Sequence, residues 1–229
     1  MIPILCSLSC LLVPILVSLL AEWRVKSAVD RYVKVPNASG QTGAEIARYL
    51  LDSQDLQHVE LQRVDGTLTD HYDPQNNILR LSPAVYDGRS VFAAGVAAHE
   101  VGHAVQDQDG YIPLYLRTAI VPLVRLGSAI SPWVIIAGFA LSIFLIGIVI
   151  ALIGVLLYAT VALFSFVTLP VEFNASRRAK ELLSSQGIAT REEIQGVDRV
   201  LDAAALTYVA ATIDATAGVF YYLLRLFVR

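Results

Sequence analysis

The feature that most constrains this chain is a stretch of 46 residues, 126–171, that contains no charged side chain. A helix spans the hydrocarbon core of a bilayer with about 20 apolar residues, so this stretch is too long for one span. It suits two helices joined by a tight turn, near 126–146 and 149–171, with Pro132 near the start of the first. The stretch therefore predicts a helical hairpin in a membrane.

Two shorter apolar segments lie near the ends of the chain. Residues 2–21 carry no charge, no basic amino-terminal region and no clear small-residue cleavage site, so they predict a retained membrane anchor instead of a signal peptide. Residues 203–227 are apolar except for Asp214 and Arg225, which leaves open whether this segment crosses the bilayer fully. Together these segments predict a mainly α membrane protein with about four transmembrane helices.

The basic residues predict how the chain is oriented. Fifteen of the 17 Lys and Arg residues fall in 22–125 or 172–202. Because basic loops stay preferentially in the cytoplasm, we expect both regions there and the amino terminus outside. The predicted organisation is an anchor at 1–21, a cytoplasmic α+β segment at 22–125, a membrane hairpin at 126–171, cytoplasmic helices at 172–202 and a C-terminal membrane helix at 203–229.

Composition separates two classes of partner. The net charge is −3 and there is no run of Lys and Arg, so nucleic acid is not expected as a partner. Hydrophobic residues make up 55% of the chain and charged residues 16%, against about 25% charged residues in a typical soluble domain. This excess of apolar side chains indicates a lipid bilayer. A membrane-protein partner and a homo-oligomer both stay open.

Capping residues mark two helices in the polar segment between the first two spans. Thr42 and Glu45 have the capping-box spacing of a helix over 43–53. Ser90 is suited to be the N-cap of a longer helix over 91–108. The same segment therefore has local start signals for both of its main helices.

Alternating patterns predict a small sheet in this segment. Asp65-Gly66 is a hairpin turn signal between the first two strands, and Asp73-Pro74 marks a turn before the third. The third strand is a candidate edge for pairing with an extended substrate. The predicted strands cover 59–64, about 67–72 and 78–81.

The helix over 91–108 contains the sequence His99-Glu100-Val101-Gly102-His103. Helical residues four apart lie on one face one turn apart, so both imidazoles can reach one metal ion. Glu100 can then lie beside the water on that ion, which is the spacing of zinc peptidases. Zinc lowers the pKa of this water and polarises the scissile carbonyl, while the glutamate takes the proton. The alternative is a buried histidine pair with an ion-paired glutamate.

A catalytic zinc needs a third protein ligand and one open position. The leading candidate is Glu172, the first charged residue after the uncharged stretch, where Pro170 suits the start of a new helix over 172–184. This helix and the motif are both expected on the cytoplasmic side. In the alternative, Glu172 is a carboxylate near a helix N-terminus that pairs with Arg177 or Arg178.

Other polar residues are weaker candidates for the site. Asp107 and Asp109 follow the motif closely, but the end of the same helix does not fold back easily onto the metal. Asp198 and Asp202 are further candidates for the third ligand. His71 precedes a turn and is either a second catalytic residue, which polarises the substrate carbonyl or binds the oxyanion, or a surface histidine.

Three stretches of the chain resemble the YugP-like family of bacterial membrane zinc metallopeptidases, and the likeness covers essentially the whole chain. The resemblance implies a neutral zinc metallopeptidase of the bacterial plasma membrane with a small zincin-like part. It also implies a gluzincin-like Zn²⁺ site with His99, His103 and Glu172 as ligands and Glu100 as the base. Asn174 and Ser176 stand where Asp is expected in such sites. The stretches are 68–74, 97–104 and 169–178.

Three functions compete at this point. The leading hypothesis is a membrane-embedded zinc metalloendopeptidase that hydrolyses peptide bonds near the cytoplasmic membrane surface, acting on membrane proteins in quality control. The second is a non-proteolytic membrane scaffold with a structural or regulatory metal site. The third is a transporter that uses His99, His103 and Asp214 as an ion path, although the motif lies in a comparatively polar segment.

Overall fold

The structure, a computed structural model, describes residues 2–227, with the side chains of residues 8–227. Met1, Val228 and Arg229, which belong to the two predicted end segments, lie outside the described residues. The chain is mainly helical and contains a small three-stranded sheet. The elements are α1 (Ile2–Tyr32), α2 (Gly43–Ser53), β1 (Glu60–Arg63), β2 (His71–Asp73), β3 (Ile78–Leu81), α3 (Pro83–Tyr86), α4 (Val91–Gln108), α5 (Ile112–Ala140), α6 (Leu145–Ser185) and α7 (Arg191–Phe227).

Four helices, α1, α5, α6 and α7, are long and apolar enough to cross a membrane. This confirms the predicted number of candidate spans. The uncharged stretch folds as two helices that meet at a turn over 141–144, as a hairpin requires. However, α5 begins at Ile112, so the prediction that Pro132 lies near a helix start is wrong. Pro122 and Pro132 both lie inside α5.

The predicted start of a new helix at Pro170 is also wrong. α6 continues from Leu145 to Ser185 without interruption, and Pro170 lies inside it. Proline costs a helix interior about 3 kcal/mol because it removes one backbone hydrogen bond and crowds the preceding turn. Thr168, Val171 and Glu172 are buried around this position, and their packing offsets that cost, which a local propensity argument does not include.

The described chain divides into two compact units. Unit 1 comprises residues 1–22, 116–169 and 206–229, and unit 2 comprises residues 23–115 and 170–205. Unit 1 contains most of the apolar sequence, and unit 2 contains the sheet, α2, α3, α4 and the zinc-peptidase motif. The predicted assignment of segments to membrane and cytoplasm stays a prediction.

Unit 2 has an aliphatic core beneath its helices and sheet. The capping box of α2 is confirmed: the Glu45 amide donates to Thr42 Oγ1 and the Thr42 amide donates to Glu45 Oε2. The Ser90 cap of α4 is confirmed by a hydrogen bond from the Ala93 amide to Ser90 Oγ. The fully buried side chains of the core include Ile46, Leu50, Leu51, Leu79, Leu81 and Val101.

The sheet has the strand order β1-β3-β2, which corrects two predictions. β1 pairs with β3 in parallel and β2 pairs with β3 antiparallel, so Asp65-Gly66 does not join neighbouring strands as a hairpin. β3 is central and therefore is not a free edge for substrate. The physical reason is burial: β3 buries both Leu79 and Leu81, whereas β1 and β2 have no fully buried position.

Unit 1 packs through close approach of helix backbones. A Cβ on Gly138 would meet the Ala151 nitrogen at 2.2 Å, and one on Gly154 would meet the Ile135 nitrogen at 2.8 Å. Such contacts between α5 and α6 are available only to glycine at these positions, and small residues serve helix packing in lipid in the same way.

Candidate metal centre

The motif lies in the middle of α4, where the helix approaches α6 closely. A Cβ on Gly102 would lie 2.6 Å from the Ala175 carbonyl oxygen, so only glycine allows this approach. Ala97, Ala98 and Ala104 are also fully buried on α4. Gly102 therefore allows the backbone of α4 to lie close to Ala175 of α6.

Three potential metal ligands converge where the two helices meet. His99 Nε2 lies 3.2 Å from Glu172 Oε2, and His103 Nε2 lies 3.7 Å from the same oxygen. One ligand atom from each of the three residues lies within 4.8 Å of the other two. The imidazole rings are nearly perpendicular, at 86°, with centroids 4.8 Å apart. Tertiary structure thus brings together residues that are 73 positions apart in sequence.

The distances and the chemistry of this donor set fit zinc. Two donor atoms that bind one tetrahedral Zn²⁺ at about 2.05 Å lie about 3.3 Å from each other. The observed separations of 3.2 and 3.7 Å are close to this value. Two imidazole nitrogens with one carboxylate oxygen leave a fourth position open, as catalytic zinc sites do. His99, His103 and Glu172 could therefore hold the ion.

Gln106, which is fully buried, determines the tautomer of His103. Its Nε2 donates to the Val171 carbonyl oxygen at 2.8 Å, which can only accept, so the orientation of the amide is defined. Gln106 Oε1 then faces His103 Nδ1 at 3.0 Å, and this nitrogen must carry the proton. His103 Nε2 is left with its lone pair for a metal.

Two polar residues of α6 support the site from the other side. Ser176 Oγ lies 3.2 Å from His99 Nδ1, and this contact orients the ring with Nε2 toward Glu172. Asn174 Oδ1 accepts hydrogen bonds from Gln106 Nε2 at 2.9 Å and from Arg178 Nε at 2.8 Å. An acceptor oxygen is what this position needs, which Asn supplies as Asp would.

Glu100 is 7% exposed. Burial raises the pKa of its carboxyl above the ordinary value and outweighs the effect of His103 and His99, whose charges favour the carboxylate. Within residues 8–227, no donor forms a hydrogen bond to this carboxylate. A divalent cation beside it favours the charged form again. Glu100 is therefore positioned near the histidines with a free acceptor.

His103 is almost completely buried beside Glu172. Burial by itself lowers the pKa of the imidazole, but the hydrogen bond and charge of Glu172 outweigh it and raise the pKa above the ordinary value. The pair is thus strongly coupled in the absence of a cation. A zinc ion that replaced the shared proton would satisfy the same lone pairs.

Arg177 and Arg178, the alternative partners predicted for Glu172, form ion pairs with other residues. Arg177 pairs with Glu181 at 3.0 Å, and Arg178 pairs with Asp109 at 2.6 Å. Asp107 accepts a hydrogen bond from the Tyr72 hydroxyl. The two weaker candidates for the third ligand also lie away from the site. Asp198 pairs with Lys180, and Asp202 lines a separate cavity.

His71 lies outside the group of three, at the start of β2 and exposed. Its Nδ1 lies 2.8 Å from the Thr69 carbonyl oxygen, which can only accept, so Nδ1 carries a proton. Its Nε2 lies 3.3 Å from Arg80 Nη1, which can only donate. In this arrangement the neutral ring has no further N–H for a substrate carbonyl, and its catalytic role stays a prediction.

Sequence reasoning missed Gln106 and Tyr72. Gln106 lies three residues after His103, so both side chains share a helix face, and this spacing was the available signal. Tyr72 Oη lies 3.0 Å from Asp107 Oδ2 and links β2 to α4; burial and this hydrogen bond raise the pKa of the phenol. No pattern in the sequence indicates that contact.

Comparisons with known proteins agree with the geometry. A family model described as "Putative neutral zinc metallopeptidase" matches residues 7–227. The chain is 48% identical over 194 residues to the "Putative membrane protease YugP" of Bacillus subtilis (strain 168). The aligned region covers 84% of each chain. No solved structure matches the chain significantly.

Proposed function

The chain belongs to this family of neutral zinc metallopeptidases, and on that premise we propose that it is a membrane-embedded zinc endopeptidase. The observation that carries the proposal is the convergence of one ligand atom each from His99, His103 and Glu172 within 4.8 Å of one another. Glu100 follows His99 directly and carries the acceptor that peptide hydrolysis requires. We propose Glu100 as the catalytic base and the other three residues as zinc ligands.

When bound, zinc supplies a Lewis acid that lowers the pKa of a water and polarises a carbonyl. The protein's part is to hold the ion and aim its ligands. Gln106 and Ser176 orient His103 and His99 through their Nδ1 atoms, which leaves both Nε2 lone pairs for the ion. The close approach of Gly102 to Ala175 keeps Glu172 within reach of both histidines.

Glu100 moves the proton in the proposed reaction. Its carboxylate takes a proton from the attacking water and gives that proton to the amide nitrogen of the leaving chain. Positioned general acid–base catalysis contributes typically 10²- to 10⁴-fold in rate. Buried surroundings around Glu100 strengthen its interactions with the charges that develop during the reaction.

The proposed setting is the cytoplasmic side of the bacterial plasma membrane, close to the bilayer. Four helices are long and apolar enough to span, and the Bacillus subtilis relative is named a membrane protease. Glu172 directly follows the uncharged stretch 126–171 in sequence, and the Lys and Arg distribution favours a cytoplasmic location for both segments that bear the site. We propose polypeptide segments of membrane proteins as substrates, in quality control.

The test compares the purified wild type with Glu100→Gln in detergent. Zinc content is measured for both, together with cleavage of an unfolded membrane-protein substrate. We expect about one zinc in each and a loss of cleavage of at least about 10²-fold in the variant. If both bind zinc and neither cleaves, a scaffold with a structural metal site replaces the peptidase. If the wild type binds no zinc, the metal assignment fails.

A further inference from the structure

Unit 2 contains a polar cavity, separate from the metal centre, that is formed by the end of α1 and by residues 199–203 of α7. Its volume is about 270 Å³. It shares no residue with the metal centre, and neither the family description nor the named relative concerns it. The residues that give it its chemistry are Trp23, Arg24, Arg31, Tyr32, Arg199 and Asp202.

The charges around this cavity do not balance. Arg24, Arg31 and Arg199 contribute three cationic groups, and Asp202 contributes the only acidic side chain of the lining. Within residues 8–227, none of these three guanidinium groups forms an ion pair, whereas most other arginines of unit 2 do. The lining therefore carries an excess of positive charge, which an anion in the cavity would offset.

Two aromatic rings, those of Trp23 and Tyr32, also line the cavity. Arg31 lies over the ring of Tyr32, with its central carbon 5.4 Å from the ring centroid. Tyr32 is part of the buried core of unit 2, so this arginine is held against a rigid surface. Trp23 is 64% exposed beside the cavity and has no core contact of this kind. The cavity therefore combines one arginine held against an aromatic ring with an exposed amphipathic ring.

The cavity residues lie in sequence at two places where the chain passes between the apolar and polar units. Trp23 is the first residue of unit 2 after 1–22, and Leu206 returns the chain to unit 1 shortly after Ala203. Tryptophan and arginine are enriched where membrane segments reach the lipid headgroups. Basic pockets between such segments on the cytoplasmic side are suited to anionic headgroups.

We propose that this cavity binds the phosphate of an anionic phospholipid headgroup. Planar guanidinium groups donate paired hydrogen bonds to phosphate oxygens, and Ser27 adds a hydroxyl to the same wall. Trp23 supplies a ring that can lie at the headgroup level. Soluble phosphate shares this chemistry, so the test separates the two sources. The proposal holds independently of peptidase activity.

Trp23 provides the reporter. The chain has two tryptophans, and the other, Trp133, is 73% exposed in unit 1, so Trp133→Phe leaves a single ring beside the cavity. This protein, in an uncharged detergent, is titrated with dioctanoyl phosphatidylglycerol, dioctanoyl phosphatidylcholine and inorganic phosphate while Trp23 fluorescence is recorded. We expect half-saturation at a concentration at least about tenfold lower for phosphatidylglycerol than for phosphatidylcholine, because the choline ammonium of phosphatidylcholine offsets its phosphate charge and is repelled by the guanidinium groups.

A matched pair of variants locates the binding. Arg24→Gln/Arg199→Gln removes two cavity charges, and Lys26→Gln/Arg191→Gln removes two charges from the same helices outside the cavity. The first pair abolishes the tenfold preference and the second retains it; equal thermal unfolding temperatures in all proteins report intact folding. Equal response to both lipids, or a preference that survives the first pair, overturns the proposal. Saturation by inorganic phosphate as readily as by phosphatidylglycerol assigns a soluble phosphate instead and overturns the lipid assignment.

Discussion

Unit 1 and unit 2 place their apolar side chains in opposite ways. Unit 2 buries its large aliphatic residues around Leu50 and Leu79, as a protein in water does. Unit 1 exposes large apolar residues along α1, α5 and α6, among them Leu156 at 62% and Ile136 at 61% exposure, and its buried cluster is small. A bilayer would cover those residues, which supports the proposal that the two units lie in different solvents.

The two units also satisfy their polar groups differently. In unit 1, the hydroxyls of Thr160, Ser165 and Thr168 donate to carbonyls of their own helix. In unit 2, Gln106 and Ser176 reach from one helix to another, to Val171 and His99. Locally satisfied hydroxyls suit lipid, whereas contacts between elements define a site. Of four paired substitutions, one compares two residues of unit 2 and three compare the two units.

The largest expected effect follows from removing the third ligand. Glu172→Gln should lower zinc affinity more than about 100-fold and abolish cleavage, because losing even a residue that only hydrogen-bonds to a metal ligand costs about 10- to 100-fold. Glu181→Gln makes the same change on the same helix, at an exposed residue paired with Arg177, and should change neither. Zinc retention after dialysis against a chelator measures both. Equal zinc retention by the two variants would mean that Glu172 is not a ligand.

Shortening a leucine in each unit measures how each one uses its apolar side chains. Leu50→Ala leaves a cavity in the unit 2 core and should cost about 2–5 kcal/mol, because Leu50 is completely buried. Leu156→Ala in unit 1 should cost less than about 0.5 kcal/mol, as is usual for an exposed residue. Thermal unfolding in the same detergent compares them. A loss at Leu156 as large as that at Leu50 would show that unit 1 is covered by protein.

Adding one methyl group to a glycine at a close helix contact in each unit tests whether that contact supports zinc binding in unit 2 only. Gly102→Ala and Gly138→Ala each push a Cβ against a neighbouring backbone, so each should cost about 1–3 kcal/mol. Only Gly102→Ala should also weaken zinc binding, because it separates α4 from Ala175 beside Glu172. Thermal unfolding measures the loss of stability, and zinc titration measures the change in zinc affinity. Zinc loss in Gly138→Ala would mean that the two units are coupled.

The smallest effect concerns two serines on α6. Ser176→Ala removes the partner of His99 Nδ1 and should lower zinc affinity about tenfold, the low end for losing a residue that hydrogen-bonds to a metal ligand. Ser165→Ala removes a hydroxyl that donates only to the Val161 carbonyl, so zinc affinity should not change. Competition with a coloured chelator measures both. Identical affinities would show that His99 is oriented without Ser176.

Several features of the fold and of the site were predictable from short stretches of sequence. The number of apolar helices, the capping box of Thr42 and Glu45, and the Ser90 cap depend on residues within a few positions of each other. The spacing of His99 and His103 has the same local origin, since a helix places residues four apart on one face. Such patterns need no knowledge of the rest of the chain.

Tertiary structure alone decided the remaining features. Pairing of Glu172 with His99 spans 73 positions, and the central place of β3 depends on which strand the core buries most deeply. Gln106 determines the His103 tautomer only because α6 presents the Val171 carbonyl to it. Pro170 stays helical because packing outweighs a local penalty. The sequence by itself therefore determined the number of candidate spans, the helix caps and the motif. The fold decided which distant groups meet, because those contacts depend on packing and burial summed over the whole chain.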